Sequence, residues 1–209
     1  DSWVSGDATV AILRFHTIAS GAFFGKEREK SSSELVETIG TYLEPLELFL
    51  SVSNSVAVIE LFGDSATVAG PIAEDSAPIE ECVKTTVQLF EMLFSERISF
   101  TAVAVVEEAV NVLTNSDCPT FQLFGPAMMQ ARAIISAATP GAVVATEKFV
   151  LVHQRFAAAR AHEKLFGAAD PWRLRGVGML RLFPLLRHTS KDSHDELLAE
   201  HEAERAAQQ

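Results

Sequence analysis

From Val56 to Gly70 the chain reads Val-Ala-Val-Ile-Glu-Leu-Phe-Gly-Asp-Ser-Ala-Thr-Val-Ala-Gly. Two runs rich in β-branched residues flank Gly63-Asp64, a pattern that predicts a β-hairpin with those two residues at its tip. The tip then displays a carboxylate held by strands on both sides. A carboxylate so placed serves either turn chemistry or metal ligation, and the hairpin alone does not choose between them.

On the N-terminal side, Ala8–Phe15 (Ala-Thr-Val-Ala-Ile-Leu-Arg-Phe) reads as a buried strand with one charged residue near its end. A loop containing Gly21 and Gly25 follows. Ser31 and Glu34 have capping-box spacing, and Leu35, Val36, Ile39, Leu43, Leu46 and Leu50 fall at helical intervals. Pro45 is expected to kink or divide that helix, because it removes a backbone donor.

On the C-terminal side, Ile79, Val83, Val87, Phe90 and Leu93 share one face of a helix over Pro78–Phe94. Ile98–Val106 is strongly β-prone, Asn111–Pro119 reads as a loop, and Thr120–Phe124 as a short strand ended by Gly125-Pro126. A helix over Ala127–Ala138 is broken by Pro140-Gly141. A strand over Ala142–Ala145, a helix over Thr146–His153 and a closing hairpin near Arg173–Leu174 and Met179–Leu185 complete the order. Strands and helices mixed in this way predict an α+β fold, a mostly antiparallel sheet with helices largely on one face.

We expect one domain over residues 1–188 and an acidic helical extension over 189–209. Ser193-His-Asp-Glu is a capping box there, and Leu197 and Leu198 are its apolar anchors. The 209 residues are 48% hydrophobic, which argues against disorder, and the net charge of -11 disfavours a nucleic-acid surface. No apolar run approaches the ~20 residues that span a bilayer, and no signal peptide opens the chain, so the expected setting is cytosolic without membrane contact by this segment. Cys82 and Cys118 lack metal-ligand spacing and read as reduced thiols. A chain that begins at Asp1 is expected to be excised from a longer polypeptide.

Five segments, in order, carry a resemblance: Ala8–Phe15, the Ile59–Gly70 hairpin, Phe121–Ala133, Ala137–Glu147 and Leu174–Phe183. Together they resemble the class III nucleotide cyclase catalytic domain, the fold of adenylate and guanylate cyclases, over roughly residues 8–186. The resemblance implies a ferredoxin-like central sheet. It also implies two carboxylates that hold catalytic cations on the first strand and at the hairpin tip. Asp64 matches one of them. The other falls on Arg14, and a guanidinium cannot coordinate Mg²⁺. We therefore expect an Arg14–Asp64 ion pair where a cation would sit.

Glu60 matches the purine-selecting position, in the guanylate rather than the adenylate manner, and a solvent-facing strand residue is its plain alternative. The second base-contacting position falls on Gln122, whose amide is able to hydrogen-bond a base. The ribose-orienting Asn falls on Met129, and the Arg that stabilises the transition state falls on Ala133. Arg132 is one residue away, a rotation of ~100° on a helix, so it is expected to face elsewhere.

The Ala127–Ala138 helix matches a dimer-interface region, which makes Met128, Met129, Ile134 and Ile135 candidate contacts. His16 has no second histidine at ligand spacing and reads as a loop residue. The expected function is a catalytically degenerate cyclase-like domain, serving as a dimerisation, regulatory or scaffold module with a protein partner, either a second copy or another cyclase-type domain. One half of a heterodimeric guanylate or adenylate cyclase, and a non-catalytic nucleotide sensor, are the alternatives. No cofactor is expected, with Mg or Mn required only in an active heterodimer.

Overall fold

Strand β1 (Ser2–Phe15) organises the molecule, because its alternating side chains feed two cores at once. Ala11, Leu13 and Phe15 enter one apolar cluster, and Ala8, Val10 and Ile12 enter the other. The computed structural model describes residues 2–16, 32–71, 77–114, 120–157 and 165–186. After β1 come α1 (Ser32–Ser51), the hairpin of β2 (Ala57–Phe62) and β3 (Ser65–Gly70), and α2 (Ile79–Ser95). The second half holds β4 (Phe100–Thr114), β5 (Thr120–Phe124), α3 (Pro126–Ala137) and β6 (Val143–Thr146). It ends with α4 (Glu147–Ala157), β7 (Asp170–Leu174) and β8 (Gly178–Pro184).

The sheet order is β2-β3-β1-β4-β6-β8-β7, with β5 added to β4. The pairings are antiparallel apart from β4 with β6, so the α+β, mostly antiparallel architecture expected from the sequence is observed. Residues of α1, α2 and α4 (Tyr42, Leu46, Val83, Phe90, Phe149) line the first core. Helix α3 packs alone on the opposite face through Ala127, Met128, Ala131, Ile134 and Ile135. "Largely on one face" thus holds for three of the four described helices, and the fourth is the one that builds the site.

Three elements differ from the sequence expectation. Helix α1 runs through Pro45 without division. Its neighbours Tyr42 and Leu46 are both 1% exposed, and burial worth about 1.5–3 kcal/mol for each offsets the ~3 kcal/mol that a helical proline costs. Strand β1 starts at Ser2 rather than Ala8, and β4 continues through Thr114 where a loop was expected. The two extensions explain each other: Ser2 pairs with Leu113 and Ser5 with Val110, while β5 pairs with the far side of the same stretch. A strand with partners on both edges satisfies its backbone whatever its local propensity.

Cys82 is a buried free thiol that donates to the Ser55 carbonyl at 3.1 Å, and burial pushes its pKa up to about 12. Among the described residues no helix is long and apolar enough to cross a membrane. The capping-box residue Ser31, Cys118 and the whole 189–209 extension lie outside the described residues.

Candidate functional site

The hairpin forms as the sequence predicts. Phe62 pairs with Ser65, leaving Gly63-Asp64 as a two-residue turn, and Gly63 takes φ 59°, a conformation that favours glycine. Two contacts fix the tip to the body of the protein. The Asp64 carbonyl accepts the Phe15 N–H at 2.8 Å, and the Gly63 carbonyl accepts the Tyr42 hydroxyl at 3.1 Å. Tyr42 stacks on Phe15 with ring centroids 4.2 Å apart, so α1, β1 and the tip are one packed unit. Burial and the nearby Asp64 charge both raise the Tyr42 pKa.

Arg14 lies across from Ser65, next to the tip. The expected ion pair is not made: among the described residues the ion pairs within 4 Å are Arg132–Glu60, Lys148–Asp7, Lys148–Glu107 and Arg181–Glu147. The charges of Arg14 and Asp64 instead act in opposite senses on His16, whose pKa falls through burial and the Arg14 charge, with Asp64 opposing. Strand pairing puts Arg14 opposite Ser65 rather than opposite the turn, and Asp64 is held by its backbone, not by its carboxylate.

His16 itself is not a loose loop residue. Its Nε2 lies 2.6 Å from Thr101 Oγ1, and the Gly141 N–H is shared between the two, 2.9 Å from Thr101 Oγ1 and 3.2 Å from His16 Nε2. The tautomer of His16 sets which of Nε2 and Thr101 Oγ1 donates to the other. The residues do not fit a two-cation centre. Asp64 offers one carboxylate, its partner position carries a cation, and among the described residues no group of three or more His, Cys, Asp or Glu side chains is arranged to hold an ion.

A cleft of about 330 Å³ lies between β2, β5 and α3. Ile59 and Glu60 line it from the hairpin, and Gln122, Leu123 and Phe124 from β5. Met128 and Arg132 close it from α3. The two base-position candidates, Glu60 and Gln122, therefore share one cavity.

Neighbouring strand residues normally point to opposite faces, yet Ile59 and Glu60 line the same cleft. The cause is a β-bulge between Val58 and Glu60, which puts an extra residue on β2 and re-aims the side chains after it. Helix α3 is seated by Gly125, at φ 113°, where a Cβ would meet the Glu108 carbonyl oxygen at 3.1 Å.

Arg132 faces elsewhere than Ala133, as the rotation argument expects, and the direction it takes is into the cleft. Its Nη2 donates to Glu60 Oε2 at 3.2 Å, joining α3 to the hairpin across the cleft. The ~100° step turns Arg132 toward the hairpin, and the length of its side chain carries the guanidinium across. The missed signal was Met128, four residues earlier and on the same face.

Met129 and Ala133 line no part of the cleft: Met129 is 62% exposed, and Ala133 packs at the edge of the second core. Of the four interface candidates on α3, Met128, Ile134 and Ile135 are buried inside the chain itself and only Met129 is presented outward. Apolar spacing marks a packed helix face without saying what packs on it.

No family model matches the chain, and no curated protein matches it. Solved structures do. The chain is similar to the adenylyl cyclase CyaB from P. aeruginosa (9% identity, 91% of this chain and 98% of that one, TM-score 0.69). It is similar to the guanylate cyclase domain of RhGC from Catenaria anguillulae in complex with GTP (13%, 90% and 100%, TM-score 0.64). It is also similar to the dimeric guanylyl cyclase domain of the RhoGC fusion protein from Blastocladiella emersonii (16%, 89% and 98%, TM-score 0.61).

Proposed function

We propose, for a chain that folds as a class III nucleotide cyclase catalytic domain over about nine-tenths of its length, that it is a non-catalytic interaction module. The observation that carries this reading is Arg14 beside the Gly63-Asp64 tip, where two-cation chemistry needs a second carboxylate. Met129 and Ala133 add to it, since neither supplies a hydrogen bond or a charge to a nucleotide. A cyclase lacking one transition-state stabiliser of this kind typically loses ~10²–10³ in rate, and a missing cation ligand compounds that loss.

Association is the function left to such a fold. Phe62 is 79% exposed at the hairpin tip, Phe124 53% exposed beside the cleft, and Met129 62% exposed on α3. Large apolar side chains presented to water on neighbouring elements support a protein partner, a second copy or another cyclase-type domain. The RhoGC domain that the chain resembles is described both as a non-canonical dimer and as a monomer.

The test has two parts. Cyclase assays with Mn²⁺ and ATP or GTP, on the domain alone and mixed with an active cyclase domain, are expected to give no product attributable to this chain. Light scattering is expected to show self-association or a mixed complex that Phe62→Asp and Met129→Asp weaken. Turnover by the isolated domain, or a monomer that joins no cyclase domain, overturns the reading.

A second reading, a nucleotide sensor without turnover, draws support from Glu60 and Gln122 lining one cavity with apolar walls. A rise in thermal stability with added nucleotide tests it, because a ligand bound by the native state must stabilise that state.

A further inference from the structure

The Glu60–Arg132 pair differs from the other ion pairs of the described residues in one respect: both partners line a cavity. Lys148 ties β1 and β4 to the start of α4, and Arg181 ties β8 to Glu147, away from the residues that line this cleft. Arg132 reaches over the cleft from a well-fixed base. Met128, one turn earlier, is 6% exposed, and the Ser136 hydroxyl bonds the Arg132 carbonyl at 2.7 Å. Glu60 faces it because the bulge turns Ile59 and Glu60 into the same space.

A guanidinium is a flat group with N–H donors in a fixed fork. To a carboxylate it presents what a flat heterocycle with two adjacent N–H donors presents. Guanine has such an edge, an N1–H beside an amino group. Adenine has one amino group beside an acceptor nitrogen, which a carboxylate repels. The walls of the cleft suit a ring of this kind, with Ile59, Phe124 and Met128 apolar and the Gln122 amide able to donate or accept.

We infer that Arg132 is an internal competitor for the cleft, holding Glu60 through a single Nη2 contact where the edge of a guanine-type ring would bind, so that such a ring enters by displacing it. The inference rests on the sensor reading, that the cleft admits a base. The side chains of the pair are 48% and 63% exposed, and exposed pairs are weak, so Arg132 is a light latch and not a lock.

Guanosine is the appropriate probe, because it is neutral and removing an arginine then changes no attraction to phosphate. It is titrated calorimetrically into the wild type, R132A, E60Q and the double variant, with inosine and adenosine in parallel arms. R132A is expected to bind guanosine about 2- to 5-fold more tightly than the wild type, the range set by an exposed pair. Inosine, lacking the amino group, gains less and adenosine gains nothing. Raising salt from about 50 to about 500 mM moves the wild type toward R132A, because the pair is screened. E60Q cancels the gain.

Equal guanosine affinity in wild type and R132A overturns the competitor and leaves the sensor reading standing. Weaker binding by R132A also overturns it, making Arg132 a ligand contact. Binding by neither protein overturns both. An unchanged thermal midpoint for R132A, expected for so exposed a side chain, excludes misfolding as the cause.

Discussion

The hairpin tip and the cleft share one strand, β2, yet they hold different things. At the tip, the backbone is held with care: Tyr42 and Phe15 stack, and two carbonyls accept hydrogen bonds from separate elements. On the reading proposed above, that tip lacks two-cation chemistry, with Arg14 beside it where a second carboxylate would be needed. In the cleft the reverse holds. The polar residues suited to a base, Glu60 and Gln122, are still present and still converge, but a side chain of the protein itself reaches in. A fold can therefore keep the frame of a site without its reagents, or the reagents with the entrance contested.

The sharpest way to break this contrast is at Tyr42. Tyr42→Ala removes a ring that is 1% exposed, and is expected to cost about 3–5 kcal/mol in urea denaturation. Tyr42→Phe removes only the hydroxyl bond to Gly63 and should cost about 1 kcal/mol. If the two variants cost the same, the tip is held by the hydrogen bond and the stacking argument fails.

The missing chemistry gives the next effect. Arg14→Asp puts two carboxylates beside each other at the tip. Manganese at ten times its dissociation constant is then expected to stabilise the variant by about 1.4 kcal/mol and the wild type not at all. A thermal scan with and without Mn²⁺ measures this. A variant indifferent to the metal means that the tip has lost its geometry as well as its ligand.

The smallest effect belongs to His16, which ties the end of β1 to Thr101 and Gly141 beside the tip. Burial and Arg14 lower its pKa below the ordinary 6.5. The unfolded chain therefore takes up a proton on His16 before the native state does. The stability due to neutral His16 is full above about pH 6.5 and is lost as pH falls from there through the native pKa. His16→Asn should flatten that part of the stability–pH curve, while the cleft, remote from His16 in the hydrogen-bond pattern, keeps its ligand response.

Most of the fold was legible because its signals are local and repeated. The Gly63-Asp64 turn, the buried face of α2 and the strand Thr120–Phe124 each follow from a few adjacent residues. What escaped was set by partners distant in sequence. Ser2–Asp7 has weak strand propensity and becomes a strand because β4 lies alongside it. The bulge at Ile59 leaves no mark in a run of β-branched residues, although it decides where Glu60 points. Pro45 obeys its own chemistry, and packing at Tyr42 and Leu46 outweighs it. In the site, residue identities singled out Asp64, Glu60 and Gln122 as candidates, of which the cleft brings Glu60 and Gln122 together, and the angle on the helix did not foretell how far Arg132 reaches.

The long pairing of β1 with β4 has a consequence for how the chain comes to be folded. His16 and Thr101, joined at one end of the ribbon, are 85 residues apart, and every rung of the ladder closes a loop of that size or larger. Such closures are slow, because chain entropy is surrendered before the contacts repay it. As the polypeptide leaves the ribosome, Val10-Ala-Ile-Leu13 has β3 as a neighbour once the hairpin is made, but its other edge waits unpaired until β4 has been made, an apolar segment open to misassociation. The strand that feeds both cores of the finished molecule is thus the stretch most in need of protection while the molecule is still being synthesised.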